Sequence, residues 1–324
     1  MGSVDRPLGL VGQAQQVDIK PYLSDGTRLF GPNVHAYTDL DNSDGQLDAA
    51  GSSGTVTPNE EVPPQPGTSD WLYPYTPVAS PNGRCPAAGC IWNHLVPGSW
   101  AANREQDATQ LFYFVNRFHD HLAAAPISFG PAQGNFEGDD AIVANAMDGA
   151  AVAAGRPVPL VGVNNANFVT YPDGQPGSKM QTYLFENGAL GPDDLVTYGP
   201  WADVSSASDA GTVYHEYTHG LTNRLVTRED GIGAMSGIQS GAIGEGTSDF
   251  YALDKQLADG HEVDTAQVGE LRYGVFLDGG RNMMRSEPLD CTVGADAKAC
   301  PRAGTVIGGS GGYTYADFGK IWEG

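Results

Sequence analysis

Residues 208–226 read SDAGTVYHEYTHGLTNRLV, with Val213, Tyr217 and Leu221 recurring at four-residue steps, a spacing that predicts a helix with one apolar stripe. Ser208 or Asp209 is placed to act as its N-cap. Within the stretch His215, Glu216 and His219 form the pattern His-Glu-Tyr-Thr-His. Four residues advance a helix by about 400°, so both histidines lie one turn apart on one face and can share one Zn2+ ion. Glu216 is rotated about 100° from His215, beside such an ion and not on it, where a carboxylate can take a proton from metal-bound water.

A catalytic zinc needs a third protein ligand and an open fourth position. Residues 240–260, SGAIGEGTSDFYALDKQLADG, predict a further helix with Ile243, Phe250, Leu253 and Leu257 as its apolar positions. Glu245 and Asp249 stand one turn apart on it. As straight helix the distance from His219 to Glu245 would exceed about 35 Å, so the chain is expected to fold back through TREDGIGAMSG at 227–237. Glu245 then becomes the third ligand. Asp249 is positioned to accept the outward N–H of a ligating histidine and to fix its tautomer. Gly241, Gly244 and Gly246 are costly in a helix and are expected to permit close approach of a neighbouring helix.

Outward from this pair the chain offers fewer solid elements. Leu111, Val115, Phe118 and Leu122 predict a core helix over 102–125, stopped by Pro126. His119 and His121 on that helix point about 200° apart and cannot share an ion from there. AIVANAM (141–147) and KMQTYLF (179–185) read as strands, the second half-buried by its alternation, and the Pro-Asp-Gly of NNANFVTYPDGQPG (164–177) marks a turn. GGSGG at 308–312 reads as loop. Residues 1–100 read as extended and turn-laden. Asp39, Asp41, Ser43, Asp44 and Asp48 there resemble a calcium loop, but Gly45 comes one place later than an EF-hand requires, and a solvated turn is the simpler reading.

With 17 Lys+Arg against 39 Asp+Glu, the formal charge of −22 excludes nucleic acid or an anionic membrane surface as the main partner. Hydrophobic residues at 40% and charged ones at 17% indicate a packed chain, and 44 Gly with 22 Pro in 324 residues indicate many loops. No apolar run approaches the ~20 residues of a membrane helix, and the first ten residues lack the apolar core of a signal peptide. The four cysteines fall into two local pairs, Cys85/Cys90 and Cys291/Cys300, whose short loops favour two disulfides and an oxidising, extracellular setting.

HEYTHGLTNRL, GAIGEGTSDF, NNANFVTYPDG and GGYTYADFGKI resemble the fungalysin family of secreted zinc metallopeptidases, over roughly residues 30–324. The resemblance implies a thermolysin-like α+β fold, a loop-rich N-terminal sheet lobe followed by the zinc-binding helices with the C-terminal helical lobe expected to be largely missing, as one incomplete domain: residues 1–100 form its extended Gly/Pro-rich N-terminal part and 101–324 the metallopeptidase core. It implies His215, His219 and Glu245 as zinc ligands and Glu216 as the catalytic glutamate. It further implies that Asn165 and Ala166 hold a protein or peptide substrate as an added strand. Thr247 stands where such proteins commonly carry Trp, which bears on local packing. The family's transition-state histidine is expected beyond the C-terminus, since His261 does not match its position, and an inhibitory pro-region is implied in the precursor. The expected function is a secreted, zinc-dependent endopeptidase. The alternatives are an inactive zinc-binding fragment and an extracellular adhesion domain that binds Ca2+ through the Asp39–Asp48 segment.

Overall fold

The computed structural model describes residues 2–4, 15–41, 59–81, 83–152, 155, 162–187, 201–285, 287–295, 300 and 312–313. Four short strands make the main sheet: β3 (Val34–Tyr37), β4 (Ile142–Asn145), β5 (Ala166–Val169) and β6 (Lys179–Thr182). They follow the ribbon formed by β1 (Gly2–Val4) and β2 (Gln15–Val17). The sheet order is β3-β4-β6-β5, parallel except that β5 runs antiparallel to β6. Ala36 faces Ala144, Ala144 faces Met180, and Met180 faces Phe168, which aligns one apolar row across the sheet. Among the described residues β5 is an edge strand, and all four of its residues are half-buried.

The helices are α1 (Arg104–Ala123), α2 (Ala210–Leu225) and α3 (Ile238–Ala258). On α1 the residues Leu111, Val115, Phe118 and Leu122 are fully buried, as their spacing predicts, and the helix ends two residues short of the expected limit. Phe118 stacks on Tyr214 of α2 with ring centroids 4.7 Å apart and meets Tyr217 edge-on at 5.4 Å. Phe136 and Phe168 extend this aromatic layer to β5, at 5.4 Å from each other. Gly220 allows that contact: a Cβ there would lie 2.8 Å from both Phe136 Cε2 and Phe168 Cε1. None of the helices among the described residues is long and apolar enough to cross a membrane.

The N-terminal loops are held by side chains more than by strands. Trp71 Nε1 donates to the Val62 carbonyl and Trp92 Nε1 to that of Phe185, each at 2.8 Å. Asn103, just before α1, ties Thr76 and Ile91 through its amide. Both local disulfides are present, Cys85–Cys90 and Cys291–Cys300.

Three expectations need correction. KMQTYLF is not one half-buried strand: Lys179–Thr182 is buried on both faces as part of the main sheet, and the chain changes partner at Tyr183. There the Tyr183 N–H donates to Ser206 Oγ, and β7 (Leu184–Phe185) pairs with β8 (Val204–Ser205) instead. On α3 only Leu253 of the four expected core positions is fully buried and Leu257 partly so, while Ile243 and Phe250 are exposed by 55% and 54% because they lie opposite Glu245 and Asp249. Of the three glycines, only Gly244 faces α2, with its Cβ position 3.7 Å from the His219 ring; Gly241 and Gly246 meet nothing within 4 Å among the described residues. The GGSGG stretch apart from Gly312, and most of GGYTYADFGKI, lie outside the described residues.

Candidate metal centre

Of the two possible caps for α2, the structure uses Asp209, which accepts from the Gly211 N–H at 3.2 Å and Thr212 Oγ1 at 2.9 Å. Burial lifts its carboxyl to about 6, against the pull of those donors. From this anchored start, His215 and His219 face α3, which returns antiparallel after a hairpin in which Arg228 N–H donates to the Ile232 carbonyl. Glu245 on α3 completes a triangle. Its edges are 3.0 Å between the two histidine Nε2 atoms, 3.3 Å from His215 Nε2 to Glu245 Oε2, and 3.3 Å from His219 Nε2 to Glu245 Oε1.

The donor set fits a small divalent cation. A tetrahedral ion with bonds near 2.05 Å separates its ligand atoms by about 3.3 Å, which is the size of this triangle. His215 Nδ1 lies 2.8 Å from Asp249 Oδ1. An ionised carboxylate only accepts, so Nδ1 carries a proton, and it is the proton on Nε2 that a cation in the triangle would displace. Burial alone would lower the His215 pKa, but the Asp249 and Glu245 carboxylates overcome it and raise it to about 9. Glu245, though partly buried, is held far below the usual carboxylate range by the two imidazoles. Glu216 is buried beside this group, and burial raises its pKa while the two histidines pull it back.

Arg285 is the residue that sequence reasoning missed. Its Nε and Nη2 grip Asp249 at 2.6 and 3.0 Å, and Nη2 also reaches Glu245 Oε2 at 3.2 Å. The guanidinium stacks over Tyr273, whose ring lies 5.3 Å from that of His215. Neither residue sits in a periodic segment, and no local signal announces them.

The other sequence candidates are placed as follows. Asn165 is exposed just before β5, and Ala166 opens that strand opposite Thr182. The β5 strand runs beside α2 at Gly220, one residue past His219, where Phe168 makes its contact. His119 and His121 turn to different partners, Asn135 with Glu137 and Asp254 respectively. His261 lies in the turn after α3, its N–H donating to the Gln256 carbonyl. Asp39 and Asp41 come together with Glu60, one oxygen of each within 4.8 Å of the others. Ser43, Asp44, Gly45 and Asp48 of the expected calcium loop lie outside the described residues.

A mixed α+β chain with two histidines of one helix closed by a glutamate of the next has the thermolysin-like zincin fold. A sequence model of the family described as Fungalysin metallopeptidase matches residues 7–296, and the chain belongs to that family. It is similar to Extracellular metalloproteinase MEP of Pyricularia oryzae, 34% identical over 75% of this chain and 32% of the relative. Extracellular metalloproteinase MEP of Fusarium vanettenii is 42% identical over 48% of this chain and 22% of the relative. Extracellular metalloproteinase 2 of Arthroderma gypseum is 33% identical over 68% and 31%. The chain thus spans no more than about a third of the length of these relatives.

Proposed function

We propose that this chain carries the metal centre of a zinc-dependent endopeptidase that acts on proteins or peptides outside the cell. The observation that carries the reading is the triangle of His215, His219 and Glu245 with Glu216 buried beside it. Two imidazoles and one carboxylate are a donor set suited to zinc. Bound zinc would polarise the scissile carbonyl and acidify a water. Glu216 would take the proton of that water and pass it to the leaving amine, a transfer favoured by burial, which keeps its carboxylate poorly solvated and basic. Asp249 and Arg285 would hold His215 and Glu245 in place.

The edge position of β5 supports substrate binding as an added strand along Asn165 and Ala166, since an edge offers unpaired backbone groups beside the metal helix. The extracellular setting draws support from two disulfides and from the relatives' names. An inhibitory pro-region in the precursor belongs to the same reading through the family resemblance. Residues 1–100 and 101–324 are read as one domain, supported by a core cluster in which Ile19, Val62 and Trp71 join Phe118, Tyr214 and Leu253.

The deciding experiment pairs zinc analysis with casein hydrolysis by the wild type and by Glu216→Gln. The expected result is about one zinc in each and proteolysis in the wild type only. Proteolysis unchanged in the variant, or no zinc retained, overturns the reading. Zinc bound by a wild type that cleaves nothing would favour a zinc-binding chain without catalysis.

A further inference from the structure

The last turn of α2 carries a buried cluster that the chemistry above does not use. Arg224, five residues past His219, has a side chain only 2% exposed. Its Nη1 donates to the Gly134 carbonyl at 3.0 Å, Asp140 Oδ2 at 3.0 Å and Asp173 Oδ1 at 3.2 Å, and Nη2 to Ser178 Oγ at 3.4 Å. The guanidinium lies 4.3 Å above the Phe136 ring, the same ring that closes on Gly220. Asp173 and Ser178 belong to the connection between β5 and β6. That connection is knitted to the same cluster twice more: Gly174 N–H donates to Asp140 Oδ2 at 2.9 Å, and Tyr171 N–H to Ser178 Oγ at 3.1 Å.

One side chain of the metal helix therefore bolts down the turn from which the edge strand hangs. We propose that Arg224 is a positioning residue that fixes β5 relative to the metal centre, so that an extended peptide paired to β5 presents its scissile bond in register. This rests on the peptidase reading above. The planar fork is needed because one guanidinium serves a carbonyl, two carboxylates and a hydroxyl at fixed angles, which the single ammonium of lysine does not reproduce. A strand held before binding spares the peptide the entropy of ordering it.

The test uses the zinc-loaded chain and two probes: acetohydroxamate, which needs only the metal, and a blocked tripeptide hydroxamate, which also needs the strand. The variants are Asp173→Asn and Arg224→Lys. The first variant keeps the chain foldable whatever happens to the second, because Asp173 is 65% exposed and Asp140 keeps its buried partner. The expected result is a tripeptide affinity weakened on the order of tenfold with acetohydroxamate affinity unchanged. Unchanged tripeptide affinity, or an equal loss for both probes, overturns the proposal. A wild type that binds the tripeptide no tighter than acetohydroxamate overturns it too, while a wild type that binds neither removes the metal reading and this one with it.

Discussion

Asp249→Asn is the substitution that most directly tests how the metal triangle is held. The carboxylate accepts from His215 Nδ1 at 2.8 Å and from Arg285 at 2.6 and 3.0 Å, and these partners keep its pKa low although burial opposes it. Asparagine matches its size, and its oxygen can still serve His215. Its NH2 group then meets Arg285 Nε donor to donor, and the guanidinium loses its charged partner. The carboxylate left within its reach is Glu245, 3.2 Å away, so Arg285 begins to compete with the metal for a ligand. Losing such an outer partner costs about 10–100-fold in metal affinity, or about 1.4–2.8 kcal/mol. The upper end is expected here because a half-buried cation is left short of charge. Zinc affinity measured by equilibrium competition with a chelator gives the number directly. Adding Arg285→Met to Asp249→Asn removes the competitor and should restore part of the loss. Zinc held by Asp249→Asn within twofold of the wild type would refute the reasoning, and a double variant weaker still would refute the competition.

Gly220→Ala should destabilise the fold although alanine favours helix: its Cβ would lie 2.8 Å from Phe136 and Phe168. Overpacking costs about 1–3 kcal/mol and the helical gain is about 1 kcal/mol, so the net loss is up to about 2 kcal/mol. A urea unfolding midpoint at or above that of the wild type would contradict it. Asp107, fully buried, accepts from Ser205 Oγ at 2.6 Å and Ser208 Oγ at 2.5 Å, yet burial pushes its pKa up to about 6. The native state then holds a proton that the unfolded chain, with a pKa near 3.9, has released, so this group loses stability as pH rises from about 4 to 6, by at most about 3 kcal/mol. Asp107→Asn, which does not titrate, should therefore gain on the wild type across that window, and parallel stability curves from urea unfolding would rule this out.

What could be read in the sequence was whatever a single helix encodes locally. The stripe of Leu111, Val115, Phe118 and Leu122 needs only the helical period, as does the pairing of His215 with His219. Glu245 was within reach because the fold-back between two helices has few solutions. Arg285 was not, since it meets Asp249 and Glu245 from 36 and 40 residues away through a segment without period. The exposure of Ile243 and Phe250 shows a different limit: a seven-residue step says that two apolar residues share a face, not that the face is covered. Likewise KMQTYLF alternates as one strand should, and it is Ser206, twenty-three residues on from Tyr183, that breaks it in two.

The angular layout of α2 explains why its parts sit in their order. At about 100° per residue, with His215 at zero, His219 falls near 40°, Glu216 near 100°, Gly220 near 140° and Arg224 near 180°, while Tyr217, Leu221 and Tyr214 take about 200–260°. The metal face and the face toward β5 are thus separated by roughly 100°, and Glu216 occupies the sector between them. On the proposed reading, a water on the metal and a peptide along β5 would lie to either side of Glu216, an order set by helix pitch. The gap between α2 and the strand is set differently, by the side chain missing at Gly220 and by the hold of Arg224 on the β5–β6 turn. On the proposed reading, base placement and substrate placement are consequently separable. Substitutions at 220 or 224 should move the peptide against a fixed metal and base, whereas those at 249 or 285 should disturb the metal and leave the strand where it is.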